Sequence, residues 1–231
     1  MFEKKVFAGC CPKCGGQLKT PFTPLIDVQA HPEQRERVLS GTFFAGKCRK
    51  CGYTGEIMAP CLYFDACRRA MIYLIPDYAE AEWRDSALEK CYPETGAFTK
   101  RVVSSVPQLK EKIQLLEAGL DDRIVELAKL AVAGWASKRQ RRRIREAYFA
   151  ELDEAENRIC FYLYTADDPE PILYRARIDI YEASRAVAEA APAGTAFRNI
   201  DLRWAAYTLA DYHRRNRVWS DVETEGEHEC L

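Results

Sequence analysis

Apolar positions change period along the chain, and the changes predict its elements. Up to residue 76 the pattern is mostly strand-like. β-Branched and aromatic residues recur over 4–8, 18–30, 42–46, 53–59 and 68–75, where Pro76 closes the last run. Pro21 and Pro24 place the second stretch at a sheet edge, because proline donates nothing to a ladder. Pro32–Leu39 reads as a short helix, with Pro32 in its first turn and Gly41 as its stop. Its charged residues, Glu33, Arg35, Glu36 and Arg37, form a solvated face. A helix is expected around 79–90, with Trp83 and Leu88 inward, then a loop at 93–96 and a strand over 98–104.

From there the period is mainly helical. Ser105 and Gln108 have capping-box spacing, Leu109, Ile113 and Leu116 share a face, and Gly119 ends the helix. Asp121 or Asp122 caps the next helix, whose stripe is Ile124, Leu127, Ala128 and Ala131. Arg158–Thr165 reads as a strand and 173–180 as its partner, since apolar and charged residues alternate there. A helix over 181–191 follows. Asp201 caps a last helix with Leu202, Ala205, Leu209 and Tyr212 on one face and Arg214, Arg215 and Arg217 at its C-terminal end. The pattern predicts an α+β protein: a β unit over 1–76, a connecting helix and loop over 77–96, a mixed, mainly helical part with a few strands over 97–222, and a frayed tail over 223–231.

Composition narrows the function classes. Acids and bases nearly cancel, 35 against 34, so the whole molecule is no polyelectrolyte binder of nucleic acid or membrane. The N-terminus has no apolar core of a signal peptide, and no apolar run is long enough to span a bilayer. A cytoplasmic protein without membrane contact is expected, where Cys61, Cys67, Cys91 and Cys160 remain thiols.

The chemistry concentrates in two hooks, Cys11-Pro12-Lys13-Cys14-Gly15 and Cys48-Arg49-Lys50-Cys51-Gly52. In each, two cysteines flank two residues and a glycine follows, a spacing that lets a tight turn aim both thiolates at one point. Four soft sulfur ligands suit a single tetrahedral Zn(II), and the expected metal ligands are Cys11, Cys14, Cys48 and Cys51. The segment between the hooks is longer than in a short ribbon, which is read as an insertion, since closing a longer loop costs little more. A redox dithiol would need one pair rather than two, and disulfides are rare inside cells. Cys10 adjoins the first hook, but only Cys11 has the right spacing to Cys14. A site filled by four thiolates has no open position for a substrate, so the ion is expected to be structural.

These hooks, with His31-Pro32-Glu33, Val38-Leu39-Ser40-Gly41, Phe43, Tyr63-Phe64-Asp65 and Ile72-Tyr73-Leu74-Ile75-Pro76, resemble the CpXC family, a bacterial and archaeal group named for its paired cysteine motif. Leu109 to Ile113 and Gly119 to Leu127 resemble the helical part that follows in its longer members. The resemblance covers about residues 1–130 and implies a zinc-binding ribbon; it implies no reaction. The second hook lacks the motif's proline, which changes the stiffness of the turn and not the ligands.

Other residues invite chemistry and have simpler readings. His31 suits a helix start, Cys61 and Cys67 suit packing, and Asp65 suits a turn cap. Asp121 and Asp122 are favoured at a helix start by the dipole. Lys138, Arg139, Arg141, Arg142, Arg143 and Arg145 put six cations in eight positions of an expected helical segment, a patch that could meet phosphates. Acids between Glu146 and Glu156 would neutralise it on folding back. The leading expectation is a non-enzymatic, zinc-stabilised module that binds another protein. The alternative is a nucleic-acid binder using 138–145 with Lys13, Lys19, Lys47 and Lys50. The third is a hydrolase-like enzyme using Tyr63, Asp65, Glu111, Lys112, Asp121 or Asp122 in a cleft between ribbon and helices.

Overall fold

Proline and glycine set the strand breaks in the computed structural model, which describes residues 5–76, 96–192, 194 and 196–226. β1 (Lys5–Cys10) and β2 (Gln17–Phe22) form an antiparallel hairpin around the first cysteine hook. The stretch expected as one strand over 18–30 splits at Pro24, which cannot continue the ladder, and resumes as β3 (Leu25–Asp27). α1 (Pro32–Leu39) has the expected bounds: Ser40 N–H donates to the Glu36 carbonyl, and Gly41, at φ 81°, donates to that of Val38. A 3-10 turn then takes Thr42–Phe44 and buries Phe43 and Phe44, so the strand expected over 42–46 starts only at Ala45. That strand, β4 (Ala45–Cys48), pairs with β5 (Thr54–Glu56) around the second hook.

Two four-stranded sheets result. The first has the order β1-β2-β4-β5 and carries both hooks. The second joins β3, β6 (Cys61–Asp65), β7 (Ala70–Leu74) and β8 (Thr99–Val103) in that order, with β3 and β8 parallel to their neighbours. Ile26, Tyr63, Met71, Ile72 and Leu74 on its strands are fully buried. The helix and loop expected over 77–96, with Trp83 and Leu88, lie outside the described residues apart from Gly96. The chain divides into two compact units, one up to Ile113 with a short later segment ending at Asn199, the other from Gln114 to Gly194 and from Ile200 onward.

The division falls within α2 (Val106–Glu117). Gly119, at φ 66°, ends it in a Schellman motif: Leu120 N–H donates to the Leu115 carbonyl at 3.0 Å and Gly119 N–H to that of Leu116. α3 (Asp122–Gln140) starts at Asp121, whose carboxylate accepts from Arg123 N–H at 2.9 Å. The second unit then builds a three-stranded sheet, order β11-β10-β9, from β9 (Ile144–Asp153), β10 (Arg158–Thr165) and β11 (Ile172–Arg177). α4 (Asp179–Ala190) and α5 (Leu202–Gly226) complete it, the latter capped by Asp201 through Trp204 N–H. Leu115, Val125, Ala128, Val132, Phe149, Ile159, Phe161, Leu163 and Ala205 meet in its core. Among the described residues no helix is long and apolar enough to cross a membrane.

Three expectations need correction here. The basic run does not lie on one helix: α3 ends at Gln140, Arg141 takes the left-handed conformation at φ 53°, and β9 begins at Ile144. The cations therefore divide among a helix end, a turn and a strand. The acids from Glu146 onward do not fold back as a neutralising segment. Most of that stretch is β9, and Arg142 instead pairs with Asp168 at 3.6 Å. Arg214 and Arg215 are not at a helix end, because α5 runs on to Gly226; both pair with Asp211 one turn earlier.

Candidate metal centre

Each hook is a turn closed by its own backbone. Gly15 N–H donates to the Cys11 carbonyl at 2.9 Å, and Gly52 N–H to the Cys48 carbonyl at 3.0 Å. Both closures need the positive φ, 66° and 73°, that glycine adopts without strain. The first cysteine of each hook is tied further, Cys11 N–H to the Gly16 carbonyl at 2.7 Å and Cys48 N–H to that of Tyr53 at 2.8 Å. Because β2 and β4 pair with Leu18 opposite Cys48, the two turns emerge side by side.

The four sulfurs converge as a result. Cys11 Sγ lies 3.6 Å from Cys51 Sγ, Cys14 Sγ lies 3.6 Å from Cys48 Sγ, and all four are within 4.8 Å of one another. A tetrahedral ion with bonds of about 2.3 Å needs sulfur–sulfur edges of about 3.8 Å, so little movement is required to close on a metal. Cys11 and Cys48 are buried, Cys14 and Cys51 half-buried, and Leu18 and Ile57 pack behind them. The cluster can hold a metal ion.

A residue that pattern reading missed completes the cradle. A Cβ on Gly16 would stand 3.3 Å from the sulfurs of both Cys14 and Cys48 and from Lys50 Cβ. Glycine is what lets the loop close over the thiols there. The signal was the doubled glycine, Gly15-Gly16, of which only the first was assigned a purpose.

The sulfurs also disturb one another's ionisation. Cys48 is drawn down to about 7, chiefly by the Cys51 backbone N–H, with that of Lys50 helping against burial. Cys14 has the Gly16 N–H favouring its thiolate, yet hydrogen bonding with Cys51, burial and the remaining thiols push it up to about 12. One thiolate forms readily and resists the next.

A family model described as CpXC protein matches residues 10–129, just over half of the chain. The chain belongs to the CpXC family. Comparisons with curated proteins and with solved structures found no match. In this CpXC protein the matched span covers both hooks and ends within the first half of α3.

The other residues singled out from the sequence have ordinary work. Cys10 is exposed and its thiol donates to the Gly15 carbonyl at 3.8 Å, outside the cluster. His31 occupies the N-cap position of α1, exposed, 3.5 Å from Glu33. Cys61 is buried and its thiol is pushed up to about 12 by desolvation, as packing requires. Cys67 is exposed, so packing does not account for it.

Asp65 is buried but fully employed: it accepts from Arg68 N–H at 2.9 Å and the Arg68 guanidinium at 3.1 Å, and from Gln29 Nε2 at 3.1 Å. Tyr63 is buried two residues away in β6. Asp121 both caps α3 and grips Arg123 at 2.6 Å. Glu111, Lys112 and Asp122 are buried. On the ribbon, Lys13, Lys19, Lys47 and Lys50 are exposed, with Lys19 directly opposite Lys47.

Proposed function

We propose that the four thiolates hold one Zn(II) ion as a scaffold, and that this CpXC protein works by binding another protein rather than by catalysing a reaction. The closed donor set supports this reading. Four sulfurs already within 4.8 Å of one another fill a tetrahedron and leave no place for a water or a substrate carbonyl. Soft sulfur donors favour zinc over the hard cations that oxygen ligands select. The carboxylates first considered for acid–base work support it too, because Asp65 and Asp121 are engaged in turn and cap contacts. Binding the ion displaces the thiol protons, so affinity for zinc rises with pH.

The experiment is substitution with Co(II), whose visible bands report coordination. The expected spectrum is that of tetrahedral four-sulfur coordination, unchanged when azide or imidazole is added in excess. Bands that shift on adding either ligand would reveal an open position and overturn the scaffold role.

A further inference from the structure

The second unit carries an apolar groove of about 640 Å³, within the range of ligand-binding concavities. One wall is a helical stripe, Leu127, Ala131 and Trp135 of α3, and another is Ile180, Ala183 and Val187 of α4. Trp135 is 55% exposed, which is unusual for so large an apolar side chain. The remaining wall is the informative one. Tyr174, Arg175, Ala176 and Arg177 all line the groove, four consecutive residues of β11. Alternate residues of a strand face opposite ways, so a groove on one face of the sheet would meet only every second one. The groove thus meets β11 along its length, with Arg158 of β10 also in its lining, and β11 pairs with β10 and, among the described residues, with no strand on its other side.

An open edge beside an apolar stripe receives an extended peptide, which pairs through its backbone and sinks alternate side chains. The charges specify what those side chains are. Ala176 belongs to the core under the sheet, so Arg175 and Arg177 stand on the opposite face, and Arg158, cross-strand from Arg177, stands there with them. Acids do lie on that face, Asp153 opposite Arg158 and Glu151 opposite Cys160, but both are on β9. They are two strands, about 10 Å, from β11, whereas an added strand lies about 4.8 Å away. Arg177 also pairs with Asp179 at 2.6 Å, but both side chains are well exposed and such a pair exchanges partners at little cost. A second copy of this chain, pairing edge to edge through β11, would set arginines against arginines.

We infer that the edge of β11 is a docking site for an extended segment of a partner protein that alternates apolar and acidic residues, its apolar side chains in the groove and its carboxylates beside Arg175 and Arg177. This rests on the protein-binding reading above and supplies the chemistry of the partner. It lies in a different unit from the cysteines, so the two stand or fall separately.

The test uses the full-length, metal-loaded chain and a fluorescein-labelled, capped hexapeptide alternating valine and glutamate, followed by anisotropy at low salt. Saturable binding is expected. It should weaken about tenfold for the peptide with lysine in place of glutamate, through the lost cross-strand charge pairs, and vanish when alternate peptide nitrogens on the pairing edge are methylated. Ala183→Trp, which fills the groove, should abolish binding. Arg175→Glu with Arg177→Glu should make the lysine peptide the better ligand. Absence of saturable binding by the glutamate peptide, equal binding of both peptides, or indifference to N-methylation overturns the docking site, and the last needs no variant to fold. Retained zinc alongside absent peptide binding would sink the docking edge while leaving the scaffold intact.

Discussion

Cys48→Ser is expected to strip the protein of its metal and to unfold the sheet that carries the hooks, while the second sheet of that unit keeps its structure. The reasons are local. Behind the sulfurs the described core is only Leu18 and Ile57, too little apolar surface to hold four short strands together. β4 and β5 have four and three residues, and β2 meets β4 through two residue pairs. Structural zinc contributes on the order of 10–16 kcal/mol in small peptide sites, as much as the whole stability of many domains. Serine offers a harder, more weakly ionised ligand, so most of that is lost. The second sheet has its own core of Ile26, Tyr63, Ile72 and Leu74 and does not share the dependence. Hydrogen exchange resolves the two: backbone amides of β4 and β5 should lose protection and those of β6 and β7 keep it. Unchanged protection in β4 and β5 of the metal-free variant would show that the ion is ornamental.

The second large effect lies in the other unit and has a different cause. Glu126 and Lys129 lie one turn apart on α3, 3.0 Å from each other, and both side chains are about 97% buried or more. Lys129 Nζ also stands 5.8 Å over the Tyr148 ring. Lys129→Met keeps the length of the side chain and removes its charge, leaving the Glu126 carboxylate in a low-dielectric core without this cation. Breaking such a pair costs about 3–5 kcal/mol, which a shift in urea midpoint at constant slope would register. Adding Glu126→Gln to Lys129→Met should recover much of the loss, because the desolvated charge is then gone. A single variant within about 1 kcal/mol of the parent would mean that water reaches the pair.

The cysteine turns were legible because their geometry is written into consecutive residues. Two sulfurs, two spacers and a positive-φ glycine leave few conformations, and Gly15 and Gly52 adopt the one expected. α1 was legible for a similar reason, with Pro32 in its first turn and Gly41 just past its end. What escaped was non-local or masked by charge. β9 carries arginine and glutamate beside its apolar residues, and it is bulged at Ala150, where Cys160 and Phe161 meet Glu151 and Phe149. One extra residue moves Leu152 out of the alternation set by Ala147 and Phe149, so neither period shows. β6 was read for its Tyr63 and Asp65 rather than for pairing. The strand expected over 98–104 exists as β8, but its parallel alignment with β7 depends on a crossover that no local pattern encodes. The groove along β11 was invisible for the same reason: alternation identifies a strand and does not say which of its edges stays open.

The most direct test of the central claim is the metal content of untagged protein purified without added metal, measured together with its thiol titre. The expected result is one zinc per chain, with Cys11, Cys14, Cys48 and Cys51 shielded from thiol reagents until a chelator removes the ion. Protein that is folded, free of metal and fully reactive at those four cysteines would contradict it.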